Sequence, residues 1–241
     1  MKTIIGKTAS VAVLALAAGL SAPAYAQEAP QPSATALDDI IVTAQRREQS
    51  LQDVPIAITA FDAETLERTN ATGIQDIAAK APGVTLTQFN IGEPQLYIRG
   101  VGTTSDSAAS DPSVGISIDE VSIGRAGASA MSFVDVERVE ILRGPQGTLY
   151  GRNASGGAVN VYTRRPLMED SGLLTARFGS FNEYGVEGNL NHQLGADAAA
   201  RLAFRYNTND GYAESLPSGR GLEGGTSFGA RLSVLNEAGP W

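Results

Sequence analysis

The sequence has no cysteine and a single histidine, His192. The first absence excludes disulfides and thiolate metal sites. The second leaves no second imidazole for a zinc cluster, and Ser-His-Asp and Cys-His nucleophilic arrangements are effectively excluded with it. Basic charge is scarce: 18 Lys and Arg stand against 26 Asp and Glu, a net charge of -8, which argues against nucleic acid as a partner. Beyond the N-terminus there is no run of about 18 apolar residues, so no transmembrane helix is expected. A β-barrel stays open, because its signal per strand is weak. No Walker lysine follows a glycine run, and the Gly100-Val101-Gly102 segment misses the dinucleotide fingerprint. No Asp/Glu pair singles itself out for glycoside chemistry. The inventory points away from an enzyme and toward a protein without cofactor or metal.

What is present begins with an address. Lys2 and Lys7 precede a short apolar run over residues 11–20, and Ala24-Tyr25-Ala26 forms a small-x-small cleavage site. Residues 1–26 therefore read as a signal peptide and the mature chain as starting at Gln27. Export without cysteine suits a large β-rich or membrane-embedded protein better than a small secreted scaffold. Loss of Lys2 and Lys7 leaves 16 basic residues against 26 acidic ones, which makes the mature chain more acidic still.

Residues 27–52 are a tether, rich in Pro, Ala and Ser at its start. It carries a β-prone run, Asp39-Ile40-Ile41-Val42-Thr43-Ala44, within residues 38–44. This run fits either the first strand of a domain or a strand that pairs with another protein by β-augmentation. Residues 53–166 read as one compact α+β domain of about 115–125 residues. Strands are expected at 54–61, 83–88, 95–99, 114–118 and 136–142. Asp62 is placed to cap a helix over 63–68, and Thr72 with Gln75 to form a capping box for a second, ended by Pro82-Gly83.

From residue 167 to residue 241 the pattern changes. Four segments of about ten residues alternate apolar with strongly polar side chains, Arg and Glu included in mid-strand. Connections are unequal: residues 195–197 are short, 210–225 long and Gly-rich. A soluble antiparallel sheet also alternates, but charged residues in mid-strand and unequal loops favour the wall of a membrane barrel. Four strands close no barrel, so the chain reads as the first part of a longer protein. His192 falls on the apolar face, near a strand end.

The stretch 137–166 organises the rest. Glu137, Val139, Glu140 and Ile141 open it with strand-like alternation. Glycines follow at 144, 147, 151, 156 and 157, and alternation returns through Asn160. Such density means backbone in conformations a side chain forbids, or backbone pressed against a neighbour.

Taken together, the mature chain resembles the TonB-dependent outer-membrane receptors of Gram-negative bacteria. Leu96-Tyr97-Ile98-Arg99-Gly100 resembles the IRG motif of their plug. Glu137, Glu140, Arg143, Gly144, Pro145, Gly147, Tyr150, Gly151, Gly156, Gly157 and Asn160 fall in a run that resembles the plug signature. Residues 39–44 resemble the TonB box. In place of Asp-Gly-Val the chain has Asp119-Glu120-Val121, so a different turn is expected there.

The resemblance implies a plug domain inside a 22-stranded transmembrane barrel, of which this chain would hold about the first four strands. It implies outer-membrane location with the tether in the periplasm, contact with outer-membrane lipid, and TonB as partner. The implied activity is active uptake of a scarce ligand, foremost a ferric siderophore. Arg99 and Arg143 would face barrel-wall glutamates beyond Trp241. Ligand-side loops would include Ile91, Gly92, Glu93, Thr103, Thr104, Ser105 and Asp106. The readings set against transport are a stand-alone periplasmic plug-type binding or signalling module and a non-functional truncated receptor.

Overall fold

The computed structural model describes residues 41–43, 49–88, 94–103, 110–124, 130–211, 213, 214, 216, 221, 222 and 224–237. The expected signal peptide and most of the tether lie outside these residues. So do Asp39, Ile40 and Ala44 of the β-prone run, and Ile91, Gly92, Glu93, Thr104, Ser105 and Asp106 of the expected ligand loops.

The described residues open with two paired two-residue strands, β1 (Ile41–Val42) and β2 (Gln49–Ser50). Then come β3 (Ile58–Asp62), α1 (Ala63–Arg68) and α2 (Ile74–Ala78). Strand β3 starts four residues later than the 54–61 pattern suggests, because Pro55 can give no ladder N–H. Asp62 caps α1 as expected, its carboxylate accepting from Thr65 N–H at 2.8 Å. That hydrogen bonding holds the Asp62 carboxyl below its usual pKa.

The capping of α2 departs from expectation. Gly73 is the N-cap, and Asp76, rather than Gln75, accepts from the N–H groups of Thr72 (2.6 Å) and Gly73 (3.1 Å). Asp76 stands at the third helical position, where a side chain reaches back to the cap.

A three-stranded ladder follows: β4 (Val84–Gln88), β5 (Pro94–Ile98) and β6 (Val101–Gly102). The main sheet is completed by β7 (Val114–Ile118), β8 (Val121–Ile123), β9 (Val136–Arg143) and β10 (Gly157–Thr163), with a one-turn helix α3 (Gly147–Tyr150) between the last two. Its order is β3-β9-β10-β7-β8. Strand β10, last in sequence, sits between β9 (antiparallel) and β7 (parallel). The 137–166 stretch thus supplies the central strand and one of its two neighbours.

Alternation along β9 sends its residues to two different cores. Val139 and Ile141 join Phe61, Ile74, Ile77 and Val159 beneath the helices. Leu142 faces the opposite side and packs with Val42, Val54 and Ala158.

The second sheet is antiparallel, in the order β11 (Ser171–Gly179), β12 (Glu183–Gln193), β13 (Ala198–Asn209) and β16 (Gly225–Asn236). The connection to the last strand carries a small hairpin, β14 (Ala213–Glu214) with β15 (Gly221–Leu222). All four strands expected from alternation are there. Their outward face leaves Leu174, Phe178, Leu190, Phe228, Leu232 and Val234 exposed, Phe178 to 79%. His192 is exposed at the end of β12, with its Nδ1 2.9 Å from an Asp170 carboxylate oxygen.

Candidate functional site

Two junctions position the residues singled out by sequence: the docking of the N-terminal segment on the first sheet, and the contact between the two sheets.

At the first junction Ile41 and Val42 pair antiparallel with Ser50 and Gln49. Val42 is fully buried, while Ile41 points outward and is half exposed. Thr43 donates its backbone N–H to Glu140 Oε1 at 2.9 Å. Glu140 is itself 0% exposed, and Arg138 Nε donates to the same oxygen at 3.0 Å. Arg138 Nη2 also donates to the Thr43 hydroxyl at 3.0 Å, and the guanidinium lies over the Tyr162 ring, 4.0 Å from its centroid. Burial, above all, pushes the Tyr162 phenol above its ordinary pKa. The described part of the β-prone run, residues 41–43, is therefore bound to the face of β9 at Thr43 by one carboxylate and one guanidinium.

Asn160, opposite Glu140 on β10, continues this polar row. Its amide donates to Tyr150 Oη at 2.9 Å and its carbonyl accepts from Ser117 Oγ at 2.7 Å. Gly144, Gly151 and Gly157 all have positive φ, as the density of glycines suggests. Gly147 does not, and a side chain there would meet open space.

The second junction was not legible from sequence. Asp135, between Phe133 and β9, takes a bidentate ion pair from Arg201 of β13, at 2.6 and 2.7 Å, with both side chains 5% exposed. Asp119, in the turn between β7 and β8, accepts from Thr163 N–H and Oγ1, each at 2.8 Å, and pairs with Arg231 of β16. Arg205 Nη1 donates to Phe133 O at 3.2 Å, and Glu187 bridges Arg177 and Arg205 along the same inner face.

Among the described residues the ion pairs between the two sheets thus run from aspartates of the first-sheet segment to arginines of the second-sheet strands. Arg143 Nη1 reaches the Pro82 carbonyl at 3.4 Å. Arg99 has φ +52° and lies alongside, Nη1 coming within 3.8 Å of where a Gly144 side chain would start. The available signal for the new pairs was mid-strand arginine on the polar face of β13 and β16. Nothing in the sequence marked which acids they would meet.

Asp119 and Glu120 form the two-residue turn of β7–β8, with Ile118 paired to Val121. Their φ values, +45° and +69°, make it type I′. The geometry is one that glycine favours at position 120, although the residue there is Glu. Glu120 is exposed. Glu120→Gly is expected to raise stability by about 1 kcal/mol, the order of the left-handed penalty for a residue with a Cβ. A thermal unfolding comparison checks this: a lower midpoint would remove the strain argument.

Of the expected ligand loops only Thr103 is described. Its hydroxyl donates to Asp111 O at 3.0 Å and lies 3.0 Å from Ser113 Oγ, and its carbonyl accepts from Tyr97 Oη at 3.2 Å. No cluster of metal-ligating side chains occurs among the described residues.

Residues 50–158 match the family model of the TonB-dependent Receptor Plug Domain. The chain is 30% identical over 177 residues to the vitamin B12 transporter BtuB of Photobacterium profundum, an alignment that covers 73% of this chain and 29% of that protein. The ferric yersiniabactin uptake receptor FyuA from Yersinia pestis shares its fold at a TM-score of 0.68 and 25% identity, over 74% of this chain and 28% of that one. The ferripyoverdine receptor of the Pseudomonas aeruginosa outer membrane is similar at a TM-score of 0.63 and 19% identity, over 73% and 23% of the two chains, a likeness of fold alone. The chain spans less than a third of the length of each of these relatives.

Proposed function

We propose that this chain, whose residues 50–158 are a TonB-dependent receptor plug domain, serves energy-coupled uptake of a scarce ligand across the outer membrane. The observation that carries the reading is the two-faced second sheet. Its outward face exposes a row of large apolar side chains, Leu174, Phe178, Leu190, Phe228 and Leu232, such as lipid would cover. Its inward face meets the plug through Arg201, Arg205 and Arg231. A soluble sheet gains nothing by exposing the first face, whereas a barrel wall needs both.

Residues 53–166 act as the plug, residues 167–241 as the start of the wall of a 22-stranded barrel, and residues 39–44 as the strand that engages TonB in the periplasm. Arg99 and Arg143 serve as further plug-to-wall contacts. The ligand is foremost a ferric siderophore, a reading supported by the likeness to the yersiniabactin receptor at 25% identity. Cobalamin is the second reading, supported by the B12 transporter at 30%. Neither ligand needs covalent chemistry from the protein, so the chain works as a transport receptor and not as an enzyme.

The test is fractionation followed by ligand binding. The chain is expected in the outer membrane, resistant to extraction by salt, and to bind a labelled ferric siderophore. Recovery as a soluble periplasmic species would overturn the transport reading in favour of a periplasmic binding module. Binding of cyanocobalamin alone would exchange the first ligand for the second.

A further inference from the structure

We propose that the Glu140 carboxylate is a positioning group that latches the TonB-engaging strand onto the plug, with Arg138 as its clamp. The proposal rests on the reading of residues 39–44 as that strand.

Four observations carry it. First, Glu140 is fully buried on β9, an interior strand flanked by β3 and β10. Second, the two partners of Oε1 are Arg138 and Thr43, and among the described residues Oε2 has no hydrogen-bond partner. A buried carboxylate satisfied on one side alone is a poor way to add stability. Its geometry instead selects one bound position for whatever donates to it, here the Thr43 N–H. Third, Thr43 is gripped by both members of the pair: N–H to Glu140, hydroxyl to Arg138. Fourth, the remaining contacts of the described part of the strand are few. Its ladder to β2 is two residues long, and Val42 is the side chain it contributes to the core with Val54, Leu142 and Ala158.

Strand addition needs free main-chain N–H and C=O groups. In this docked arrangement Ile41 and Val42 are paired with β2 and the Thr43 N–H is taken by Glu140. The segment must leave both before it can pair with a partner. The latch therefore sets the fraction of molecules whose coupling strand is available.

The absence of native cysteine allows a direct readout. Val42→Cys places a unique thiol at a fully buried position of β1, and its rate of maleimide labelling in the full chain reports undocking. Glu140→Leu, which keeps volume but deletes the acceptor, is expected to raise that rate about tenfold or more, since a hydrogen bond to a charged group exceeds the 1.4 kcal/mol that a factor of ten requires. Glu140→Gln retains an acceptor for Thr43 but loses the charge, and is expected to fall between the parent and Glu140→Leu. Thr43→Pro removes both the N–H donor and the hydroxyl from the segment side without a substitution in the sheet, and is expected to raise the rate at least as far as Glu140→Leu. Amide exchange along β10 should be unchanged in all three. Equal labelling in parent, Glu140→Leu and Thr43→Pro would overturn the latch. So would a rise accompanied by faster exchange throughout β10 in Glu140→Leu and absent from Thr43→Pro. Capture by the purified periplasmic domain of TonB separates the two readings: faster labelling without capture leaves the latch standing and overturns the TonB assignment of the strand.

Discussion

Asp135→Asn is expected to lower the stability of the folded chain by about 3 kcal/mol, near the bottom of the range for breaking one side of a buried ion pair. The substitution isolates charge. Asp135 has φ +56°, a conformation that Asn tolerates nearly as well as Asp, so backbone strain does not change. What changes is Arg201, which cannot lose its proton and is left 5% exposed without a counter-charge. Asp135→Asn combined with Arg201→Gln is expected to recover most of the loss, because no uncompensated charge remains. The magnitude is diagnostic against the Arg164–Glu67 pair, at 3.4 Å with side chains 34% and 64% exposed. Glu67→Gln there should cost under about 1 kcal/mol, as for other solvated pairs. Denaturant unfolding of the single and double variants gives all three values. Similar small losses at both pairs would mean that water screens the junction between the two sheets.

The parts of the fold that were legible are those set by local period. Strands β11, β12, β13 and β16 were visible because one face is apolar and the other charged over nine residues or more. Strands β9 and β10, shorter at eight and seven residues, were visible from the alternation on either side of the glycines, and the helix at Asp62 because its cap is local. The capping box failed by one position, since Gln75 and Asp76 are both able to reach back and only the helix phase decides between them. What lay beyond reach was pairing at a distance. Asp135 and Arg201 stand 66 residues apart, Asp119 and Arg231 112 apart, and Thr43 and Glu140 97 apart. A charged residue on a polar face announces that it needs a partner, but the choice among 26 acidic residues is made by topology. Glu140 shows the same limit in another form. Its place in an alternating run marked it as a strand residue, but its burial follows from a segment nearly a hundred residues upstream that covers it.

The glycines of the 137–166 stretch make the sharpest contrast between composition and geometry. Gly157→Ala is expected to destabilise the chain by roughly 2–6 kcal/mol, while Gly147→Ala should be neutral or gain up to about 1 kcal/mol from helix propensity. Gly157 opens β10 with φ +152°, and a methyl group there would stand 2.3 Å from Leu142 O and 2.8 Å from Ile98 Cδ1. The Ile98 methyl can rotate away. The Leu142 carbonyl cannot, because it belongs to the neighbouring strand, paired in register as Gly157 with Arg143 and Ala158 with Leu142. Relief requires β9 and β10 to separate at the centre of the five-stranded sheet, and Gly157 also pairs with Val114 of β7, so the damage spreads to the parallel side. About 1–3 kcal/mol of backbone strain adds to about 1–3 kcal/mol of overpacking. Gly147 sits in α3, has no positive φ and has open space where its Cβ would be. Two glycines of one motif, ten residues apart, thus differ by several kcal/mol in what they contribute. Paired unfolding measurements on Gly157→Ala and Gly147→Ala decide it, and equal losses at the two positions would show that the close packing of β10 on Leu142 is not what requires glycine.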